Sequence, residues 1–168
     1  LLSFHMLQHV FLTTIGPPLV LLGAPRSLLR PLLAGKTAVA ARLLTAPVLA
    51  GTLFIVNMWL WHIPPLYELA LTETWVHALM HIAFMGTGLL FWWPVVLPWP
   101  SEPQWPRWVM LPYLLAADVS NTALSALFSF SEVVLYPTYE RAPRLWTSSA
   151  LADQSAAGAL MWVLSSIF

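Results

Sequence analysis

The sequence contains no cysteine. That absence removes disulfides, thiolate metal sites, iron–sulfur clusters and thiol nucleophiles. Charge is nearly as scarce: seven Lys or Arg and seven Asp or Glu among 168 residues, or 8%, against 59% hydrophobic residues. Soluble domains average about 25% charged residues, so the polar surface here is too small to cover a globule in water. The formal net charge of zero supplies no basic patch for a nucleic-acid partner. No segment combines a basic head, a short apolar run and a small-residue cleavage site, as a secretory signal would. The ten-residue, period-two alternation of a membrane β-barrel is missing too. The sequence predicts an integral membrane protein built from helices in a lipid bilayer.

Crossing a bilayer takes about 20 mainly apolar residues as a helix. Five stretches qualify by eye, at about 1–22, 46–61, 75–93, 108–130 and 151–168. The expected fold is all-α, a polytopic transmembrane helix bundle in one domain over residues 1–168. The chain starts without Met and is apolar at both ends, so it is expected to be a segment of a larger protein. The first connecting loop carries Arg26, Arg30, Lys36 and Arg42 and no acid, while the next carries Glu68 and Glu73 and no base. The positive-inside rule then places the first loop in the cytoplasm and the second outside a bacterial plasma membrane. Residues 31–44, interrupted by Lys36 and Arg42, are expected to lie as an interfacial helix.

Trp59, Trp61, Trp75, Trp92, Trp93, Trp99, Trp105 and Trp108 sit near span ends, as an aromatic belt would. The Gly16-Pro17-Pro18 step is expected to kink or break the first span, because each proline removes a ladder donor. Asp118 and Asn121, three apart in the fourth expected span, share a helix face. They read as interhelical hydrogen-bonding groups in preference to a proton or ion path.

All five histidines fall near the ends assigned to the outside. His5 and His9 open the first span, His62 closes the second, and His77 and His81 open the third. Asp153 opens the fifth. His5–His9 and His77–His81 each have the form His-x-x-x-His, which on a helix puts both rings on one face with Cβ atoms about 5–6 Å apart. Two such helices side by side can offer up to four nitrogens to one metal ion. Polar side chains at membrane depth are expensive and normally face the bundle interior, and a metal would offset that cost. A hydrogen-bond network between helices is the competing reading. Imidazole suits copper, zinc, iron and nickel, and thioether selects Cu(I). Met6 and Met80 stand within or beside the pairs, so a mixed His/Met set favours copper. Asp153 is either a further ligand or an acceptor that fixes a histidine tautomer. Haem is a weaker candidate, since histidines one turn apart cannot ligate opposite faces of one ring. A di-iron oxygenase would need more ligands than are present.

Several motifs in order resemble the CtaG-type membrane family, cytochrome c oxidase assembly factors of the caa-type oxidases. They are His5-Met6-Leu7-Gln8-His9 with Gly16-Pro17-Pro18-Leu19 and Leu22-Gly23-Ala24-Pro25, Trp59-Leu60-Trp61-His62-Ile63-Pro64 with Tyr67, and His77/His81 before Gly88-Leu89-Leu90-Phe91-Trp92-Trp93-Pro94. Leu135-Tyr136-Pro137 with Tyr139, and Asp153-Gln154 with Gly158 and Met161-Trp162, complete the match. The resemblance implies a non-enzymatic membrane protein that helps mature a haem–copper oxidase, with copper handling near the oxidase copper centre. It carries over to His5, His9, His62, His77, His81 and Asp153. The implied partners are a cytochrome c oxidase subunit and a copper donor protein.

Overall fold

The computed structural model describes residues 1–98, 100–141 and 149–166. Trp99 and the last two residues of the fifth expected span lie outside these. The described residues are helical throughout their ordered elements, as the composition requires. Helix α1 (Leu2–Val10) runs through a π-helical segment (Phe11–Ile15) into α2 (Gly16–Gly23). Helices α3 (Arg26–Leu32) and α4 (Gly35–Leu44) follow, then α5 (Pro47–Trp61), α6 (Pro64–Thr72) and α7 (Thr74–Val96). A 3₁₀ turn (Arg107–Val109) leads into α8 (Met110–Phe130), and α9 (Pro137–Arg141) and α10 (Ala150–Ser166) complete the chain.

The expected count of five spans does not hold. Among the described residues, two helices are long and apolar enough to cross a membrane, Leu2–Gly23 and Thr74–Val96. A third span exists only if Thr37–Leu44 and Pro47–Trp61, which meet at 63°, act as one broken span. The reasons are local. Helix α5 has only 15 residues. Helix α8 carries Asp118, Ser120, Asn121, Thr122, Ser125 and Ser129, which dilute its hydropathy, and α10 is described over 17 residues that include Asp153 and Gln154. The interfacial helix expected over 31–44 is divided between α3 and α4.

The first span is not broken at Gly16-Pro17-Pro18. It passes through the prolines by widening, and the Gly16 N–H donates to the Phe11 carbonyl five residues back. Widening of this kind commonly accommodates an interrupted ladder. Helix α7 packs here with unusual closeness. A Cβ on Gly88 would lie 2.7 Å from Pro17 Cγ and 3.2 Å from the Leu12 carbonyl oxygen, so only glycine fits.

Ring contacts and hydrogen bonds fix the relative directions. His5 and His9 of α1 lie beside His77 and His81 of α7, so these helices run parallel. Phe54 stacks on Phe91 and Asn57 Nδ2 donates to Thr87 Oγ1, so α5 is antiparallel to α7. Helices α8 and α10 are antiparallel: Ser166 Oγ donates to Asp118 Oδ1 at 2.7 Å, and Asn121 Nδ2 donates to the Met161 carbonyl at 3.3 Å. Asp118 and Asn121 thus act as interhelical hydrogen-bonding groups, as expected.

The larger apolar core, with Met6, Met58, Trp61, Tyr67, Met80, Phe84 and Phe128, gathers at the histidine end. A smaller one, Phe54, Phe91 and Ala117, lies toward the other end. Trp61 departs from the expected belt. It is 6% exposed, inside the core, and its indole N–H donates to Asn57 Oδ1. Trp75 and Trp108, by contrast, are largely exposed. The outer surface is apolar at Leu19, Leu22, Val48, Val56, Ile82, Leu111 and Phe130, which suits a lipid environment.

Candidate metal centre

The histidines come from three segments, α1, the end of α5 and α7. Helix α1 is anchored at its start by Asp153. The carboxylate accepts the Leu2 N–H at 2.6 Å, the Ser3 N–H at 3.3 Å and the Ser3 hydroxyl at 2.7 Å. An acid at a helix N-terminus satisfies free backbone donors and complements the helix dipole. This fixes α1 one turn before His5. The His5 ring then lies 4.4 Å from His9, 5.1 Å from His77 and 6.1 Å from His81, centroid to centroid. His9 is 5.5 Å from His81 and 6.1 Å from His62. All five rings therefore form one connected group, as the two spaced pairs predict.

One nitrogen each from His5, His9 and His81 lies within 4.8 Å of the others, close enough for a single ion. The cluster leaves many ring nitrogens without partners. His5 Nε2, both nitrogens of His9, His62 Nε2 and His81 Nε2 are buried without a hydrogen bond. An unpartnered buried polar atom costs about 1–3 kcal/mol, and a ligand shared by several such nitrogens would offset that cost. The residues present fit a metal ion.

The opposite nitrogens of three rings are held. His62 Nδ1–H donates to the Met58 carbonyl at 2.6 Å and His77 Nδ1–H to the Ala70 carbonyl at 3.2 Å. A carbonyl only accepts, so both rings carry their proton on Nδ1 and keep the Nε2 lone pair free. His5 Nδ1 lies 2.7 Å from the Tyr139 hydroxyl and 2.9 Å from that of Tyr67. Burial pushes the Tyr139 phenol up to about 12, partly opposed by its hydrogen bond with Tyr67, and burial also raises Tyr67. Both phenols stay neutral. In the ligating tautomer the His5 Nδ1–H donates to a phenol oxygen and Nε2 faces the cluster. Such outer hydrogen bonds orient metal-binding imidazoles.

Residues 1–168 match the profile of the cytochrome c oxidase caa3 assembly factor family, Caa3_CtaG. The chain belongs to that family. It is 26% identical over 183 residues to an uncharacterized protein of Mycobacterium bovis and, to the same extent, to one of Mycobacterium tuberculosis, covering 98% of this chain in each case. An uncharacterized protein of Mycobacterium leprae is 26% identical over 178 residues, covering 95% of the chain. The chain spans 28% of the length of the first two relatives and 27% of the third. No solved structure matches it.

In this Caa3_CtaG chain the other expected site residues take distinct places. The hydrogen bonds of Asp153 go to the start of α1, so it acts on His5 through the helix it holds. Met6 and Met80 are fully buried in the core that encloses the cluster. Tyr67 and Tyr139 as partners of His5 were not foreseen. These tyrosines lie 62 and 134 positions from His5, and no local spacing connects them to it. A second tie is Tyr136, whose hydroxyl donates to the His62 carbonyl at 2.9 Å.

Proposed function

We propose that this Caa3_CtaG chain works as a multi-pass, non-enzymatic assembly factor of the bacterial plasma membrane. It holds Cu(I) at the histidine cluster and passes it to a cytochrome c oxidase subunit. A copper donor protein loads it. The observation that carries this reading is the compact His5/His9/His81 group with its unpartnered nitrogens. Imidazole suits copper, zinc, iron and nickel alike, the neighbouring Met6 and Met80 thioethers favour Cu(I) among them, and the family points to the oxidase. His62, Met6 and Met80 surround the three and complete the candidate set, His77 lies at its edge beside His5 and His81, and Asp153 positions α1. The loop charges favour an extracytoplasmic cluster, since Arg26, Arg30, Lys36 and Arg42 belong to the opposite side.

Haem is disfavoured because the rings of His5, His9, His77 and His81 contact one another directly, at 4.4–6.1 Å. A porphyrin would have to enter between them.

Metal analysis of purified protein tests the proposal. Wild type should retain copper in stoichiometric amount after desalting, and the double variants His5→Ala/His9→Ala and His77→Ala/His81→Ala should retain much less. Equal, sub-stoichiometric copper in all three would show the reading to be wrong. A visible spectrum of the same samples separates haem from copper. Cysteine labels at Lys36→Cys and Glu73→Cys should react from opposite sides, and external labelling at position 36 would invert the orientation.

A further inference from the structure

The histidine cluster is closed on one flank and open on another. On the closed flank His62 is buried against Phe84 and Phe128, at 6.1 and 5.7 Å between ring centroids. The Tyr136 hydroxyl covers its carbonyl. On the open flank a cavity of about 450 Å³ lies between α6 and α7, lined by Ala70, Leu71, Thr74, His77, Ala78 and His81. Two of the five histidines therefore face an opening, and the rest do not line it.

Those two differ in kind. His81 belongs to the compact group, and its Nε2 is buried and unpartnered. His77 stands outside that group but touches two members of it, stacked on His5 at 5.1 Å and edge-on to His81 at 4.5 Å. The Ala70 carbonyl holds its Nδ1–H, so the ring offers only Nε2 to an ion. Its half-buried position spans the distance between the cavity and the triad. Next in the chain to the lining residue Thr74 stands an exposed acid, Glu73, the N-cap of α7, in a loop that holds no base. Negative charge at an opening raises the local concentration of cations.

We infer that the α6–α7 mouth is the route by which the copper ion enters and leaves, with His77 as a transient ligand between the opening and the His5/His9/His81 triad. The inference rests on the metal reading proposed above. The step is ligand exchange. A bond from His77 Nε2 to the ion forms as one bond to a triad nitrogen breaks, the ion keeps its oxidation state, and no proton moves because Nδ1–H stays on Ala70.

The test is the rate at which Cu(I) passes from the full chain in detergent micelles to a water-soluble bathocuproine chelator, read by absorbance. His77→Ala should keep wild-type copper but release and reload it roughly tenfold more slowly. Ala78→Trp, which fills the mouth from an exposed position, should slow both steps similarly. Leu111→Trp, exposed on α8 away from the mouth, should exchange as wild type does. If His77→Ala and Ala78→Trp hold copper and exchange at the wild-type rate, the route is elsewhere and the metal site stands. If His77→Ala holds no copper, His77 is a resident ligand and its transient role is overturned. A wild type that binds no copper overturns the inference together with the reading beneath it.

Discussion

The indole N–H of Trp92 donates to the main-chain carbonyl of Thr13 at 2.9 Å. That carbonyl is one that the prolines leave without a helical donor in either register. In α register its partner would be the nitrogen of residue 17, in π register that of residue 18, and both are proline. Helix α7 therefore repairs the defect that the Gly-Pro-Pro step creates in the first span, at the point where Gly88 lets the two backbones meet.

Trp92→Phe should lower stability by about 1–3 kcal/mol, the cost of a buried carbonyl left unpaired. Pro17→Ala would restore an N–H four residues on, so in that background the loss from Trp92→Phe should shrink. Thermal unfolding in detergent of the four-member double-mutant cycle measures this coupling. Additive effects would mean that the indole serves only to pack.

Gly158 on α10, packed against α8, contrasts with Gly86 on α7. A Cβ on Gly158 would stand 2.5 Å from Ser129 Oγ and 2.8 Å from both the Ser125 carbonyl oxygen and the Ser129 nitrogen. Backbone cannot yield as a side chain can, so Gly158→Ala should destabilise by about 1–3 kcal/mol. Nothing lies within 4 Å of a Cβ on Gly86. Gly86→Ala should be neutral or stabilise by about 0.5–1 kcal/mol through helix propensity. The same unfolding assay ranks them.

Asp153 tests whether an acid near a metal cluster acts through the backbone. Asp153→Ala removes three hydrogen bonds at the start of α1 and should destabilise more than Asp153→Asn, which keeps one acceptor. Copper should bind Asp153→Asn at wild-type stoichiometry with weaker affinity. Complete loss of copper in the folded Asn variant would make the carboxylate a direct ligand.

The phenols on His5 share one task. Tyr139→Phe or Tyr67→Phe alone leaves one hydroxyl on His5 Nδ1, so each should cost little copper affinity. The double variant leaves that nitrogen bare, and affinity should fall by about 10–100-fold, as it does when metal-bound histidines lose their outer partner. Competition with a chelator of known affinity reads the difference. Equal affinity across all four proteins would detach the tyrosines from the site.

Helix α7 ends with Leu97 in the left-handed region at φ 49°. A side chain there costs about 1–2 kcal/mol, and glycine would relieve it. Leu97→Gly should raise the unfolding temperature, and a fall would show that the leucine side chain packs more than its backbone strains.

Much of the cluster was legible because a four-residue spacing translates directly into a shared helix face. His5/His9 and His77/His81 needed only that rule and a common depth. The helical class followed from composition alone. The count of spans was not legible. Apolar runs such as 108–130 contain several serines together with Asp118 and Asn121, whose partners on α10 appear only in three dimensions. Trp61 read as an interfacial tryptophan because nothing local reveals Asn57 one turn earlier as its acceptor inside the core. Asp153 was placed at the correct end of the bundle, but its three donors come from residues 150 and 151 positions away.

That separation has a consequence for biosynthesis. His5 is held by Tyr67 and Tyr139, and its helix by Asp153, so α1 is ordered by segments that are synthesised well after it. Contacts of such long range form late, after the loops between them have closed. A nascent or half-inserted chain can present histidines but not the arranged triad. The arranged triad therefore exists only once α10 has docked against the start of α1.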